Sequence, residues 1–211
     1  MIRNVTIGLL LMTGVALAQT ATEPKPLSKL LLAPQLILDL ARAAHGANCD
    51  FEGESGPDER YKFYELTYKS DGDAPDQAAN KAILHEVFCF SGAYNISYIY
   101  LIALGDEAPR PLQFAVPAFR PIYENDDTEK AVLRIDIQGF TTADTLVNPT
   151  YDATTGIIIS ANRWRGIGDA GTNGTWRFLQ GNFTLTHFDV DASYDGEINP
   201  TAIYDAAPET P

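Results

Sequence analysis

The chain has 211 residues, 45% of them hydrophobic, with 28 acidic against 15 basic side chains and a net charge of −13. A surface of that sign repels phosphate backbones and anionic lipid, which bind through clustered Lys and Arg, so nucleic acid is excluded as a partner and a cationic one is favoured. The length suits one domain with a sizeable core.

Residues 1–18, "MIRNVTIGLLLMTGVALA", carry Arg3 and then an apolar run from Val5 to Ala16. Ala16-Leu17-Ala18 supplies a small-x-small cleavage site, so the stretch reads as a secretory signal peptide cut between Ala18 and Gln19. The apolar run of about 13 residues is shorter than the ~20 a spanning helix needs. No later segment is long and apolar enough, so no membrane span is expected after signal removal. Gln19 in place of Cys argues against lipid attachment at the new N-terminus. The expected location is the periplasm. In that oxidising compartment Cys49 and Cys89 are expected to pair. Closing a loop of about 41 residues would stabilise the fold by roughly 4 kcal/mol in the chain-entropy model. Neither a C-x-x-C nor a nearby His pair is present to complete a zinc site.

Residues 19–33 read as a spacer. In "APQLILDLARAAHG", Leu36, Ile37, Leu40, Ala41 and Ala44 fall at helical spacing, with Pro34 suited to a first turn and Gly46 to a stop. The pattern predicts a helix over 34–45. A second helix is expected over 74–86, "APDQAANKAILHE", with Asp73 as its N-cap. The rest alternates with period two. "YKFYELTYK", "HEVFCF", "YNISYIYLIAL", "AVLRIDIQGF", "TGIIISANRW", "TWRFL" and "NFTLTHFDV" are strands by composition, separated by turn signals such as "SDGD", "NPTYDATTG" and "LQGN". The fold class is therefore mainly β: an antiparallel sandwich or barrel-like domain with one or two short N-terminal helices. The single domain runs over 34–200, with a Pro-rich segment at 108–121 as its candidate subdivision, and 201–211 reads as a disordered acidic tail.

Gly166, Gly168 and Gly171 spell G-x-G-x-x-G, the spacing of a dinucleotide-binding loop. Such a loop needs a strand before it and a helix N-terminus after it, since free amides and the helix dipole hold the pyrophosphate. "GIIIS" supplies the strand, but "TNGTWRFLQGNFTLTHF" follows where the helix should start. The glycines are expected to shape a hairpin loop, with tight turns at Asn173-Gly174 and Gln180-Gly181. Asp169 would accept amides of its own loop or pair with Arg165 or Arg163. Trp164 and Trp176 would pack in or beside the core.

The same stretch carries a resemblance. Arg163, Arg165, Gly166, Gly168, Asp169, Gly171, Trp176, Gly181, Phe183 and Leu185 fall on a pattern of R-G-x-G-D-C-G, a spaced Trp, a turn Gly and F-x-L. "CFSGAYN" at 89–95 and "RPLQFAVP" at 110–117 match two further landmarks. Over about residues 47–190 the chain resembles an uncharacterised exported bacterial family, domain of unknown function 1176. The resemblance implies export and an all-β fold, and brings no established activity. Ala170 stands where the family has Cys, so any disulfide made there in relatives is absent.

Catalytic chemistry finds little in the sequence. There is no G-x-S-x-G, and no signal places His45, His85 or His187 beside Ser91. "FDVDASYDGEIN" sets Asp189, Asp191, Asp195 and Glu197 within nine residues, a candidate calcium loop that is not an EF-hand; calcium is the one cofactor considered. Ser91-Gly92-Ala93-Tyr94 resembles the S-G-x-x-Y loop of periplasmic lysozyme inhibitors, with Asn95 where Tyr should stand. The leading expectation is a non-enzymatic exported protein with a binding or envelope-associated role, its partner a cationic envelope protein or a lysozyme. The alternatives are an inhibitor of lysozyme-like lytic enzymes, and a glycan-active hydrolase with two carboxyls facing one cleft.

Overall fold

The computed structural model describes residues 34–51 and 60–206. The stretch expected to be a signal peptide, with its expected Ala18–Gln19 cleavage site, the spacer and the last five residues lie outside the described residues. Helix α1 runs Pro34–His45, as its apolar spacing predicts, and buries Ile37, Leu38 and Ala41. Arg42 and His45 in its last turn complement the helix dipole.

The strands follow in chain order. The first group is β1 (Tyr61–Tyr68), β2 (Asn80–Ser91), β3 (Ile96–Leu104), β4 (Arg110–Pro111), β5 (Phe114–Tyr123) and β6 (Val132–Ala143). The second is β7 (Thr145–Val147), β8 (Thr150–Asp152), β9 (Ile157–Arg163), β10 (Gly171–Leu179), β11 (Asn182–Asp191) and β12 (Thr201–Asp205). One sheet has the order β1-β2-β3-β4, with β7 also paired to β3; the other has the order β12-β11-β10-β9-β8; β5 and β6 form a long hairpin. All pairings are antiparallel and neither sheet closes on itself.

The first sheet is buried on both faces. Leu84, Tyr100 and Ile102 meet Ile158, Trp176, Phe183 and Leu185 of the second sheet in the main core. Val87, Ile99 and Leu101 point the other way and pack under Ile37 and Ala41 of α1. Phe114 and Phe119 bring the β5–β6 hairpin into the main core, so the Pro-rich segment is a strand that joins the sandwich. Pro117 and Pro121 are accommodated there because β5 pairs on one side only, with β6.

Three expectations are corrected. The second helix, 74–86, does not form: β2 starts at Asn80, and Asp73 holds a turn by accepting from Ser70 N at 2.7 Å and Asn80 Nδ2 at 2.7 Å. Burial on both faces of β2 erases the period-two signal, and a strand without alternation reads as a helix segment. Asn173 and Gly174 lie inside β10, where the ring of Trp176 occupies the place a side chain at Gly174 would need, 2.2 Å from its Cβ. The other expected turn, at Gln180 (φ 52°) and Gly181 (φ 84°), does form. Finally, Thr201–Asp205, assigned to the tail, pairs with β11 as β12.

Cys49 and Cys89 are joined at a Cα–Cα distance of 4.4 Å, tying the segment after α1 to β2. Asp50 N donates to Cys89 O at 2.7 Å beside the bond. Free-thiol counting on denatured, unreduced protein should find none, and replacing both cysteines by Ala should destabilise the fold by about 2–4 kcal/mol in denaturant melts. Two reactive thiols, or an unchanged melt, would contradict the pairing.

Candidate functional site

Strand β9 needs a partner on each side, and its outer edge has one only in part. β8 pairs with Ile157, Ile158 and Ile159 and then stops. Beyond it the backbone polar groups of β9 still require satisfaction. Two asparagine side chains supply it. Asn148 Nδ2 donates to Ala161 O at 3.0 Å. Asn95 addresses Arg163 twice: its Nδ2 donates to Arg163 O at 2.7 Å and its Oδ1 accepts from Arg163 N at 3.2 Å. One side-chain amide thus does for Arg163 what an antiparallel strand would.

The two asparagines also hold each other and the hairpin that carries them. Asn95 closes the β2–β3 turn, accepting from Gly92 N at 2.7 Å. Asn148 Nδ2 reaches Asn95 Oδ1 at 3.1 Å and Tyr94 O at 3.2 Å, while its Oδ1 accepts from Ile96 N at 2.9 Å. Its backbone adopts φ 45°, a left-handed conformation that Asn tolerates better than most residues. The ring of Tyr94 lies against Gly166, and its hydroxyl is 3.5 Å from Trp164 O. "GAYN" and the glycine loop, far apart in sequence, therefore form one structure.

The loop itself leaves β9 and returns as β10 with Trp164 N donating to Ala170 O at 2.9 Å. Gly168 turns it at φ 76°, and Gly171 opens β10 where a Cβ would sit 2.4 Å from Asn162 O. A strand follows Gly171, as the failed helix test required. Asp169 is buried. It pairs with Arg165 through both oxygens, Nε to Oδ1 at 2.6 Å, and accepts from Gly196 N at 2.9 Å. The bonds from Arg165, joined by that from Gly196, outweigh burial and hold the Asp169 carboxyl down at about 2. Arg165 in turn lies over the ring of Tyr194 at 5.0 Å. Trp164 stacks on Phe119 of β5, and Trp176 is buried, donating to Ala115 O at 2.9 Å. Three segments, 92–95, 164–170 and 192–200, thus form one rim at one end of the sandwich.

The four acids considered for calcium are engaged within the protein, Asp191 and Asp195 both bonding Asn199. Asp189 faces His187. Asp191 accepts from Ser193 N and Oγ and from Asn199 N, and Asp195 from Glu197 N. Glu197 contributes that backbone N–H, and among the described residues no three acids, histidines or cysteines group as metal ligands do. The histidines are engaged away from Ser91. His85 is fully buried against Tyr61 OH at 2.9 Å, where burial pushes it down to about 4, and His45 faces Asp144. A cleft of about 800 Å³ opens at another part of the surface, lined by Glu65, Asp106, Tyr151 and Phe178. Both its carboxylates are exposed, unlike a pair that burial divides into acid and base.

Asn95 and Asn148 escape a sequence reading because their role is set by where β8 ends; the one local signal is Asn148 before Pro149, a turn dipeptide. Asn148→Ala should destabilise by about 1–3 kcal/mol, since Ala161 O and Ile96 N lose their partners. Asp169→Asn should lower the melting temperature at pH 7 and flatten its acid dependence. A depressed carboxyl contributes stability above its unfolded value near 3.9, lost as pH falls through about 2. Melts of Asp169→Asn that parallel wild type across that window would contradict the ion pair.

Residues 73–196 match the family described as a protein of unknown function (DUF1176). No curated protein and no solved structure matches the chain. The matched span contains both landmarks, "GAYN" and the Arg165–Gly171 loop, whose meeting around Asn95 forms the rim. The chain belongs to the DUF1176 family.

Proposed function

We propose that this is an exported envelope protein that binds another protein through the rim. Export is supported by the signal-like first eighteen residues and by the intramolecular disulfide, which persists in oxidising compartments. The binding reading is carried by one observation: large apolar side chains stand exposed on the rim. Ile167 is 69% and Ile198 75% exposed, and Phe90, Tyr94 and Ile96 are exposed on the hairpin whose Tyr94 lies against Gly166 of the glycine loop. Ile198 shares a shallow cleft with Arg163 and Gly168. Apolar side chains held out on a hydrogen-bonded base are suited to burial against a partner, because little ordering entropy opposes their docking. The net charge of −13 favours a basic partner by steering its approach.

The test is capture from envelope extract, with lysozyme added in a parallel arm, by wild type and by Ile167→Asp/Ile198→Asp. A basic protein retained by wild type should bind at least about tenfold more weakly to the double variant, as loss of central apolar anchors implies. Equal retention by both proteins would remove the rim as the binding surface. Retention of lysozyme itself, lost in the variant, would identify the basic partner as a lytic enzyme.

A further inference from the structure

His187 on β11 sits opposite Asp205 of β12 in the strand register. Its Nε2 is 2.8 Å from Asp189 Oδ1 and its Nδ1 is 3.4 Å from Asp205 Oδ1. Both ring nitrogens face carboxylates, which only accept when ionised. An imidazolium donates to both; a neutral imidazole has one N–H and leaves a lone pair against the other carboxylate. The groups facing the ring are Asp189 from its own strand and Asp205 from β12. From β10 the residue opposite is Thr175, and Arg177 lies further along, opposite Thr184.

Apart from its pairing with β11, β12 is held by Ile203 and Tyr204, which pack half-buried against the main core. It is the outermost strand, five residues long, paired only with β11 across a register shift at Phe188/Asp189. Yet it anchors the far end of the 192–200 loop. That loop gives Gly196 N to Asp169 and presents Ile198 at the rim. Tyr204 of β12 also packs edge-on against Phe140 of the β5–β6 hairpin.

We propose that His187 is a pH-sensitive clasp: doubly protonated, it ties Asp205 of β12 to Asp189 of β11 and tautens the 192–200 loop, and deprotonated it lets both loosen. Its consequence for binding rests on the rim being the partner surface. Partial burial of the ring opposes protonation, and the bonds to Asp205 and Asp189 outweigh it, so the net shift is upward. A raised histidine contributes stability fully below its unfolded value near 6.5, and that contribution fades as pH rises through the folded value. The open fraction of β12 then rises tenfold for each unit by which the ring's value with Asp205 docked exceeds its value with β12 released and Asp189 still beside it.

The test is an NMR titration of the full chain from pH 5.5 to 9, following the His187 ring and the amides of Gly196, Ile198, Ile203 and Tyr204. In wild type the His187 midpoint should lie above 6.5, and those amides should shift with the same midpoint. Asp205→Asn should bring the midpoint down, and His187→Gln should abolish the transition. A midpoint at or below 6.5, amides that ignore it, or an unchanged transition in His187→Gln would overturn the clasp. These signals need no partner. Failure of the Ile167→Asp/Ile198→Asp capture experiment would leave them unmoved, so the two ideas fail separately.

Discussion

Strand β9 outlasts its neighbour β8, and the side-chain amides of Asn95 and Asn148 complete the edge that β8 leaves open. The consequences spread outward from that pairing. Asn95 is the last residue of a hairpin turn from the first sheet, and Arg163 is the last residue of a strand in the second. Bonding one to the other fixes the two sheets at this end of the sandwich, where apolar packing alone would leave the loops free to choose. Neutral hydrogen bonds of this kind contribute modestly one by one. Their geometry is directional, however, and several converge on two side chains. Position is what they determine.

Once Arg163 is placed, the loop beyond it has few choices. Trp164 lies back on Phe119, Gly168 supplies the left-handed residue, and Asp169 reaches across to Gly196 while paired with Arg165. A buried carboxylate needs such compensation, since removing either partner would leave an uncompensated charge. The ion pair fixes the 164–170 loop internally, and the Gly196 N–H bond to Asp169, with Arg165 over Tyr194, registers that loop against the 192–200 loop. Outside stand Ile167 and Ile198, exposed to solvent, with the exposed carboxylates Asp195 and Glu197 beside Ile198 in sequence. Exposed isoleucines flanked by carboxylates on a hydrogen-bonded base suit association with a basic partner.

Much of the fold was legible, and the failures have a common cause. Helix α1, the alternating strands β6 and β11, the glycine loop's lack of a following helix and the cysteine pair all rest on local signals, and all are found. "HEVFCF" is a strand as its composition indicates, but the first half of β2 reads as helix because α1 covers one face of the strand and the second sheet the other, so its sequence carries no alternation. β12 reads as tail because it is short and its apolar pair, Ile203 and Tyr204, is followed at once by the acidic, Pro-containing terminus, so two residues give no period to read. Asn173-Gly174 looked like a turn because the local dipeptide is a turn signal. The ring of Trp176, which demands glycine there, is a tertiary fact. The site divides in the same way. Asp169 and Arg165 are four residues apart, and the sequence offers Arg165 beside Arg163 and the loop's own amides as partners of Asp169; Asn95 and Arg163 are separated by most of the sandwich. Family landmarks marked both segments without indicating that they touch.

The account turns on Asn95 acting as a strand partner to Arg163, and backbone amide exchange reads that directly. In Asn95→Ala the Arg163 amide should lose its protection, while that of Ile158, in the buried interior of β9, stays as in wild type. Unchanged protection at Arg163 in a folded Asn95→Ala protein would contradict it.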